Sequence, residues 1–264
     1  MNDWTPHGLV GMVHLAALPG TPGNSLSPEA ITEGALRDAR TLATAGFDAI
    51  LIENMHDLPY LRRDVGSEII AAMSSTIATL RDELDLPLGV QVLAGANRAA
   101  LSIAHATGCA FIRAEGFAYA SVADEGIFDE ADAGPLLRHR KIINAEKIGV
   151  WADVRKKHSA HALTSDLSLA ELVAGYDFCG ADAIVITGAA TGDPVPMSDL
   201  NEAKNATSLP IVVGSGATTE NVATLLTSCD AVIVGSSIKT DGNWRCDVDA
   251  ERARAFVEAA CRGT

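Results

Sequence analysis

One phrase recurs along this chain: a glycine or cysteine, then Asp-Ala, then a run rich in isoleucine and valine. It stands at Gly46-Phe-Asp-Ala-Ile-Leu-Ile-Glu53, Gly180-Ala-Asp-Ala-Ile-Val-Ile-Thr187 and Cys229-Asp-Ala-Val-Ile-Val-Gly235, and more loosely at Gly108-Cys-Ala-Phe-Ile-Arg113. A second phrase, Leu-Pro followed by an apolar run, stands at Leu86-Pro-Leu-Gly-Val-Gln-Val92 and Leu209-Pro-Ile-Val-Val-Gly214. Both perform the same task. Glycine caps the preceding helix or proline stops it, and the short apolar run that follows suits a strand covered on both faces.

Such runs predict eight strands, near residues 9–14, 48–53, 88–93, 110–113, 148–153, 183–187, 211–214 and 231–235. Helical patterns fill the intervals. Ile70, Met73, Ile77, Leu80 and Leu84 recur at helical spacing. Ser27-Pro28-Glu29 reads as an N-cap followed by proline at the first helical position, Ser168-Leu-Ala-Glu171 as a capping box, and a last helix starts near Asp249 with Ala253, Phe256, Val257 and Ala260 on one side. Strict alternation implies a parallel sheet. Eight units favour closure into a single-domain (β/α)8 barrel over residues 1–264, and no GxGxxG follows the first strand to argue for an open dinucleotide-binding sheet.

Composition narrows the function classes. A net charge of -14 argues against a nucleic-acid or anionic-membrane surface. The basic residues are 14 Arg against 6 Lys, which with the acidic excess reads either as a salt-adapted surface or as an ordinary solvated one. Five cysteines form no CxxC pair, consistent with a reduced setting, and Cys109, Cys179 and Cys229 each precede an apolar run, where they read as packing residues. The segment MNDWTPHG has no basic-then-apolar pattern and GLVGMVHLAALPG is too short to span a bilayer, so a cytoplasmic protein without membrane insertion is expected. A homo-oligomer is also expected.

The last two strands end in small-residue turns, Gly214-Ser215-Gly216-Ala217 and Gly235-Ser236-Ser237, each expected to open into a helix. Turns of this kind bind phosphate: glycine admits close approach, and helix-start N–H groups and the helix dipole favour an anion. In barrels of this class the loops after strands 7 and 8 are a common phosphate site. The expected ligand is therefore a small phosphorylated molecule, with Lys239 nearby as a further phosphate contact.

Side chains at the other strand ends converge on the same mouth: His14, Glu53 with Asn54, Gln91, Arg113 with Glu115, Asp153, and Thr187 with Gly188. Unpaired charge at the end of an apolar strand is costly, so a polar set there points to function. Glu53 is the candidate general base, and Asp153 either its partner acid or the group that orients Lys157 or His158. Arg113 suits bidentate capture of a substrate carboxylate or second phosphate, with a salt bridge to Glu115 as the alternative. His14 is a candidate catalytic group at the end of strand 1. Lys156 and Lys157 allow a Schiff base, and His14, Glu53, Asp153 and His158 together allow a divalent ion, but neither the spacing nor the motifs favour a metal or an organic cofactor. Two connections exceed what a bare barrel needs, residues 14–27 and 114–134. Gly126 and its neighbouring acids make the second either a lid or a solvated excursion.

These motifs also carry a resemblance. His14-Leu-Ala-Ala-Leu-Pro-Gly-Thr-Pro22, Ile52-Glu-Asn-Met-His-Asp-Leu-Pro59, Ala152-Asp-Val-Arg-Lys-Lys-His158, Thr187-Gly-Ala-Ala-Thr-Gly192, Gly214-Ser-Gly-Ala-Thr218 and Gly235-Ser-Ser-Ile-Lys-Thr-Asp-Gly-Asn-Trp244 resemble, in order and over nearly the whole chain, the BtpA/SgcQ family. The resemblance implies a TIM barrel of the ribulose-phosphate-binding type. The chain departs from the family pattern at Val92-Leu-Ala-Gly-Ala-Asn97. Two functions follow as expectations: an acid/base isomerase or lyase acting on a small phosphorylated metabolite, or, as the family name implies, a non-catalytic factor for photosystem I assembly or stability.

Overall fold

The computed structural model describes residues 4–155, 159–188 and 194–261. Eight parallel strands close into one barrel: β1 Gly8–His14, β2 Ala49–Glu53, β3 Leu88–Gln91, β4 Phe111–Ala114, β5 Gly149–Val154, β6 Ala183–Ile186, β7 Ile211–Val213 and β8 Ala231–Val234. Each neighbours the next in sequence, and β8 pairs back onto β1 with Leu9 opposite Val232. Around them lie α1 Pro28–Ala45, α2 Ser67–Glu83, α3 Asn97–Thr107, α4 Ala133–Ile142, α5 Leu169–Phe178, α6 Met197–Ala206, α7 Val222–Leu225 and α8 Ala250–Cys261. All eight predicted strands are present, and β3, β6, β7 and β8 end one or two residues earlier than their apolar runs.

The recurring Asp-Ala phrase has a structural purpose. Asp48, just before β2, accepts the backbone N–H of Leu9 at 2.7 Å; Asp182, before β6, accepts that of Val150 at 2.8 Å; Asp230, before β8, accepts that of Ile211 at 2.8 Å. Each aspartate therefore ties the start of its own strand to the strand before it, satisfying a ladder-end donor that would otherwise be lost. The helix signals also hold. Ser27 accepts from Ala30 N, and Ser168 and Glu171 form the reciprocal capping box. On α2 Met73, Ile77 and Leu80, and Leu84 just beyond it, are buried as expected; Ile69 and Thr76 join the stripe, and Ile70 is only half-buried.

Two apolar layers result from the period-2 alternation of the strands. Outward residues such as Ile50, Ile52, Ile112 and Ile184 meet the helices, while Val10, Met12, Ala49, Leu51, Val185 and Ile233 fill the barrel. The N-terminal end is plugged by aromatic rings: Phe111 stacks on Trp151 with centroids 3.7 Å apart, and Trp4 stacks on both. Gly89 makes this plug fit, since a Cβ there would lie 2.2 Å from the Phe111 ring. With one end filled by large rings, open space is left at the other. Cys109 and Cys229 are buried, as expected, whereas Cys179 is half-buried.

The long connection after β4 is ordered rather than a bare excursion. Ser121–Ala123 and Gly126–Phe128 form an antiparallel hairpin, and Ser159–Ala160 joins it as a third strand. Arg63 lies over the Phe128 ring at 5.0 Å and pairs with Asp132, so the connections after β2 and β4 pack against each other over the mouth.

Candidate active site at the C-terminal mouth of the barrel

The inward alternation that fills the barrel with Ala49 and Leu51 brings Glu53 to the last inward position of β2. The same count brings His14, Gln91, Arg113 and Asp153 to the ends of β1, β3, β4 and β5. Register then sets His14 opposite Glu53, and Glu53 opposite Gln91. Glu53, Gln91, Arg113 and Asp153 are all buried. Above them lies a cavity of about 170 Å³ that His14, Glu53, Gln91, Arg113 and both glycine turns line. That volume is well below the roughly 300 Å³ at which drug-sized pockets begin, and suits a small metabolite.

His14 and Glu53, opposite each other in register, face one another at the cavity. The His14 Nδ1 lies 3.0 Å from the Trp244 carbonyl, which can only accept, so Nδ1 carries the proton. Nε2 is left facing the Glu53 carboxylate at 3.8 Å, either as a lone pair or, when protonated, as an ion-pair partner. The Trp244 ring meets His14 edge-on and packs against His56, closing this side of the mouth.

Arg113 is committed to the protein. Its Nε and Nη2 each donate at 2.9 Å to the two oxygens of Asp153, and Nη1 donates to the Gly214 carbonyl at 3.3 Å. Burial opposes the guanidinium's charge, but Asp153, with Glu53 and Glu115 beyond it, holds the pKa above its ordinary value. The partner is thus Asp153 rather than Glu115, and Asp153 does not line the cavity but stands behind the arginine. The reason is register: Arg113 is opposite Trp151, so Asp153 is the next inward residue above it and within reach of a long side chain. Lys157 and His158, the expected alternative partners of Asp153, lie outside the described residues, as does Lys156.

Several other predicted contacts are placed elsewhere. Asn54 turns away from the cavity, accepting the Leu93 N–H at 2.7 Å and donating to Asp57 at 2.9 Å, and so organises the connections instead of a ligand. Asn97, at the end of the stretch that departs from the family pattern and not itself a predicted contact, holds the end of β4 through both backbone groups of Glu115. Thr187 donates to the Arg155 carbonyl and, with Gly188, stays outside the lining. Lys239 is fully buried beneath α1, with Nζ 3.4 Å from Asp38. Burial lowers its pKa against the pull of Asp38, and burial raises that of Asp38. Two residues past Ser237 the chain has already left the mouth, which is why a nearby lysine in sequence is not a nearby cation in space.

The two turns do line the cavity, through Gly214, Ser215, Gly216 and Ala217 and through Gly235, Ser236 and Ser237. Ser237 Oγ donates to the Ala217 carbonyl and joins them into one wall. Among the described residues, the N–H groups of Ser215, Gly216, Ser236 and Ser237 donate to no protein acceptor. Gly214 is needed for close approach, because a Cβ there would lie 2.5 Å from Val185 and 3.0 Å from Arg113 Nη2. The expected long helices do not start here: the first turn leads through residues 215–221 to the four-residue α7, the second to a short 3-10 turn Ser236–Ile238. Free backbone donors, not a helix dipole, are what these turns present.

Met55, Tyr60, Asp124, Glu125 and Trp244 also line the cavity and escape a strand-end reading because all sit in loops; Leu93, the last residue of the expected third strand, lines it as an apolar group. The acids flanking Gly126 were the one signal: they form the hairpin tip and reach the cavity wall.

Fold and site together define a TIM barrel with a small-molecule cavity at the C-terminal ends of its strands, walled by two adjoining glycine turns. Comparison of the sequence places it more narrowly. The BtpA family profile matches residues 5–262, and the chain belongs to that family. A Caenorhabditis elegans protein whose name is mitochondrial is 40% identical over 253 residues, covering 94% of this chain and 91% of its own length. The photosystem I biogenesis protein BtpA of Synechocystis is 34% identical over 260 residues, covering 98% and 90%. Solved structures of like fold include a thiamine phosphate pyrophosphorylase from Pyrococcus furiosus (TM-score 0.59, 13% identity, 99% of this chain and 98% of that one) and a phosphoribosyl anthranilate isomerase from Thermus thermophilus (0.59, 13%, 97% and 98%). Among the described residues no helix is long and apolar enough to cross a membrane.

Proposed function

We propose that this protein is an enzyme acting on a small phosphorylated metabolite in the cytoplasm, as an acid/base isomerase or lyase. One observation carries the reading: the joined turns after β7 and β8, with their unused N–H groups, share a single cavity with His14 and Glu53. Phosphate held on Ser215, Gly216, Ser236 and Ser237 fixes one end of the ligand. The other end then meets Glu53, which takes a proton from the carbon next to a carbonyl, while His14 Nε2 exchanges a proton with the developing oxygen. Arg113, its charge balanced by Asp153, forms the fixed base of the cup. The phosphate-bearing compounds in the names of structures with the same fold agree with this reading.

The name of the Synechocystis relative favours a second reading, a non-catalytic assembly factor. Leu58, Leu61, Val122 and Ile127, exposed on the connections after β2 and β4, are the surface such a factor would use. A thermal-shift screen of phosphorylated metabolites decides between them. A ligand at about 100 times its Kd adds about 2.7 kcal/mol of stability. Glu53→Gln should keep that shift and abolish turnover of the hit; a screen with no hit, inorganic phosphate included, removes the enzymatic reading.

A further inference from the structure

The glycine turn after β8 runs into an excursion, residues 239–248, that returns to its own starting point before α8. Lys239 bridges Val248, Thr240 N donates to the Asp247 carbonyl at 3.1 Å, and Asp249 N donates to the Ile238 carbonyl at 2.9 Å. Asp38 of α1 reaches across this neck and holds both sides. Its Oδ1 accepts the Val248 N–H at 2.9 Å, and its Oδ2 lies 3.4 Å from Lys239 Nζ. Asp38 and Lys239 are buried, whereas Asp241, Gly242, Asn243, Arg245 and Asp247 beyond the neck are exposed. The excursion is gripped at its base and open to solvent along its length.

Trp244 stands in the middle of the excursion, away from the neck. Its carbonyl accepts from His14 Nδ1 at 3.0 Å, and the Glu53 carboxylate lies 3.8 Å from Nε2 on the other side of the ring. A neutral imidazole carries one proton, and the better-placed acceptor decides which nitrogen holds it. Here the carbonyl decides. At about 3.6 Å it would no longer make a hydrogen bond, so a drift of about half an ångström is enough to release the proton to Nε2. The Trp244 ring packs on His56 with centroids 5.1 Å apart, a contact that tolerates sliding and does not fix the carbonyl. The neck does, because separating Asp38 from Lys239 strands each charge in the interior.

We propose that Asp38 and Lys239, outside the barrel beneath α1, are positioning residues for His14: they fix the base of the excursion so that the Trp244 carbonyl keeps the proton on Nδ1 and Nε2 stays turned to Glu53 and the cavity. The purpose of this device rests on the acid/base reading above, but its test needs no ligand. Its failure and the failure of a metabolite screen are therefore separate results.

The test is 15N NMR of the imidazoles in the full chain, with His14 assigned among the seven histidines by the signals lost in His14→Gln. The tautomer is read at the alkaline plateau of the His14 shifts, where the ring is neutral. The wild type should hold its proton mainly on Nδ1. In Asp38→Leu/Lys239→Met, which removes the clamp without stranding either charge, the ratio of Nδ1–H to Nε2–H should fall about threefold or more. Arg40→Ala, which removes an exposed ion pair between α1 and Glu83 of α2, should leave the ratio unchanged. A folded double variant with the wild-type ratio overturns the proposal and leaves the pair a purely structural role. A wild type with its proton on Nε2 also overturns it, as does an equal change in Arg40→Ala. Should the double variant not fold, Asp38→Asn, which keeps an acceptor for the Val248 N–H and removes only the charge, is expected to lower the ratio about twofold; an unchanged ratio there overturns the proposal equally.

Discussion

Replacing Asp153 by Asn removes the charge that balances Arg113 while keeping nearly the same volume and one acceptor. The pair is buried, with side chains 7% and 2% exposed, and joined by two parallel bonds of 2.9 Å. Breaking a buried ion pair by removing one partner costs about 3–5 kcal/mol, most of it the desolvation of the charge left behind. Glu53 and Glu115 also attract the guanidinium, and Gly214 accepts from it, so the lower end, about 3 kcal/mol, is expected. For a chain of this size that corresponds to about 6–12 °C in Tm. Urea denaturation of the single variant, of Arg113→Met and of the double variant Arg113→Met/Asp153→Leu forms a cycle. The double variant should recover most of the loss, because an apolar pair of similar volume replaces the ions without stranding either one. A single variant that loses less than about 1 kcal/mol, or a double variant no more stable than the single ones, refutes the claim that charge balance at the base of the cup holds this arginine.

Three further outcomes follow from particular contacts. Gly214→Ala should cost about 1–3 kcal/mol in urea denaturation and weaken phosphate binding, because the added methyl must displace Val185 or Arg113; a neutral effect on both removes the close-approach argument. Lys239 has a folded pKa below its ordinary 10.5, so in the pH range between the two values the unfolded chain binds the extra proton. The stability of the wild type relative to Lys239→Met should therefore rise with pH up to about 10.5 and fall as pH drops through the folded value; chemical denaturation across that range giving a flat or falling difference contradicts the burial of the ammonium. Glu53→Gln, as described above, should leave ligand-induced stabilisation intact while removing turnover, and the loss of both places the carboxylate in binding instead of chemistry.

The barrel was legible in the sequence because each strand is covered on two faces and must be apolar along its length, while glycine, proline and the Asp-Ala phrase mark where each begins. The acids and amides at strand ends were legible for the complementary reason: Glu53 and Gln91 interrupt runs that otherwise have no polar atom. The function of Asp48, Asp182 and Asp230 was not, since a carboxylate that closes the ladder of the preceding strand looks in one dimension like any polar residue before an apolar run. Nor was the hairpin at Ser121–Phe128, whose alternation is too short to stand out from a loop.

What the sequence alone determined is periodicity: which residues alternate inward along each strand, and hence which polar groups reach the mouth. Only the tertiary structure decided who meets whom there. His14 takes the carbonyl of Trp244 across 230 residues, and Arg113 takes Asp153 across 40. Lys239, two positions beyond a phosphate turn, ends on Asp38 under α1. Barrel closure and strand register set these partners, and neither is written in local spacing, because each depends on how eight separately apolar strands are staggered against one another.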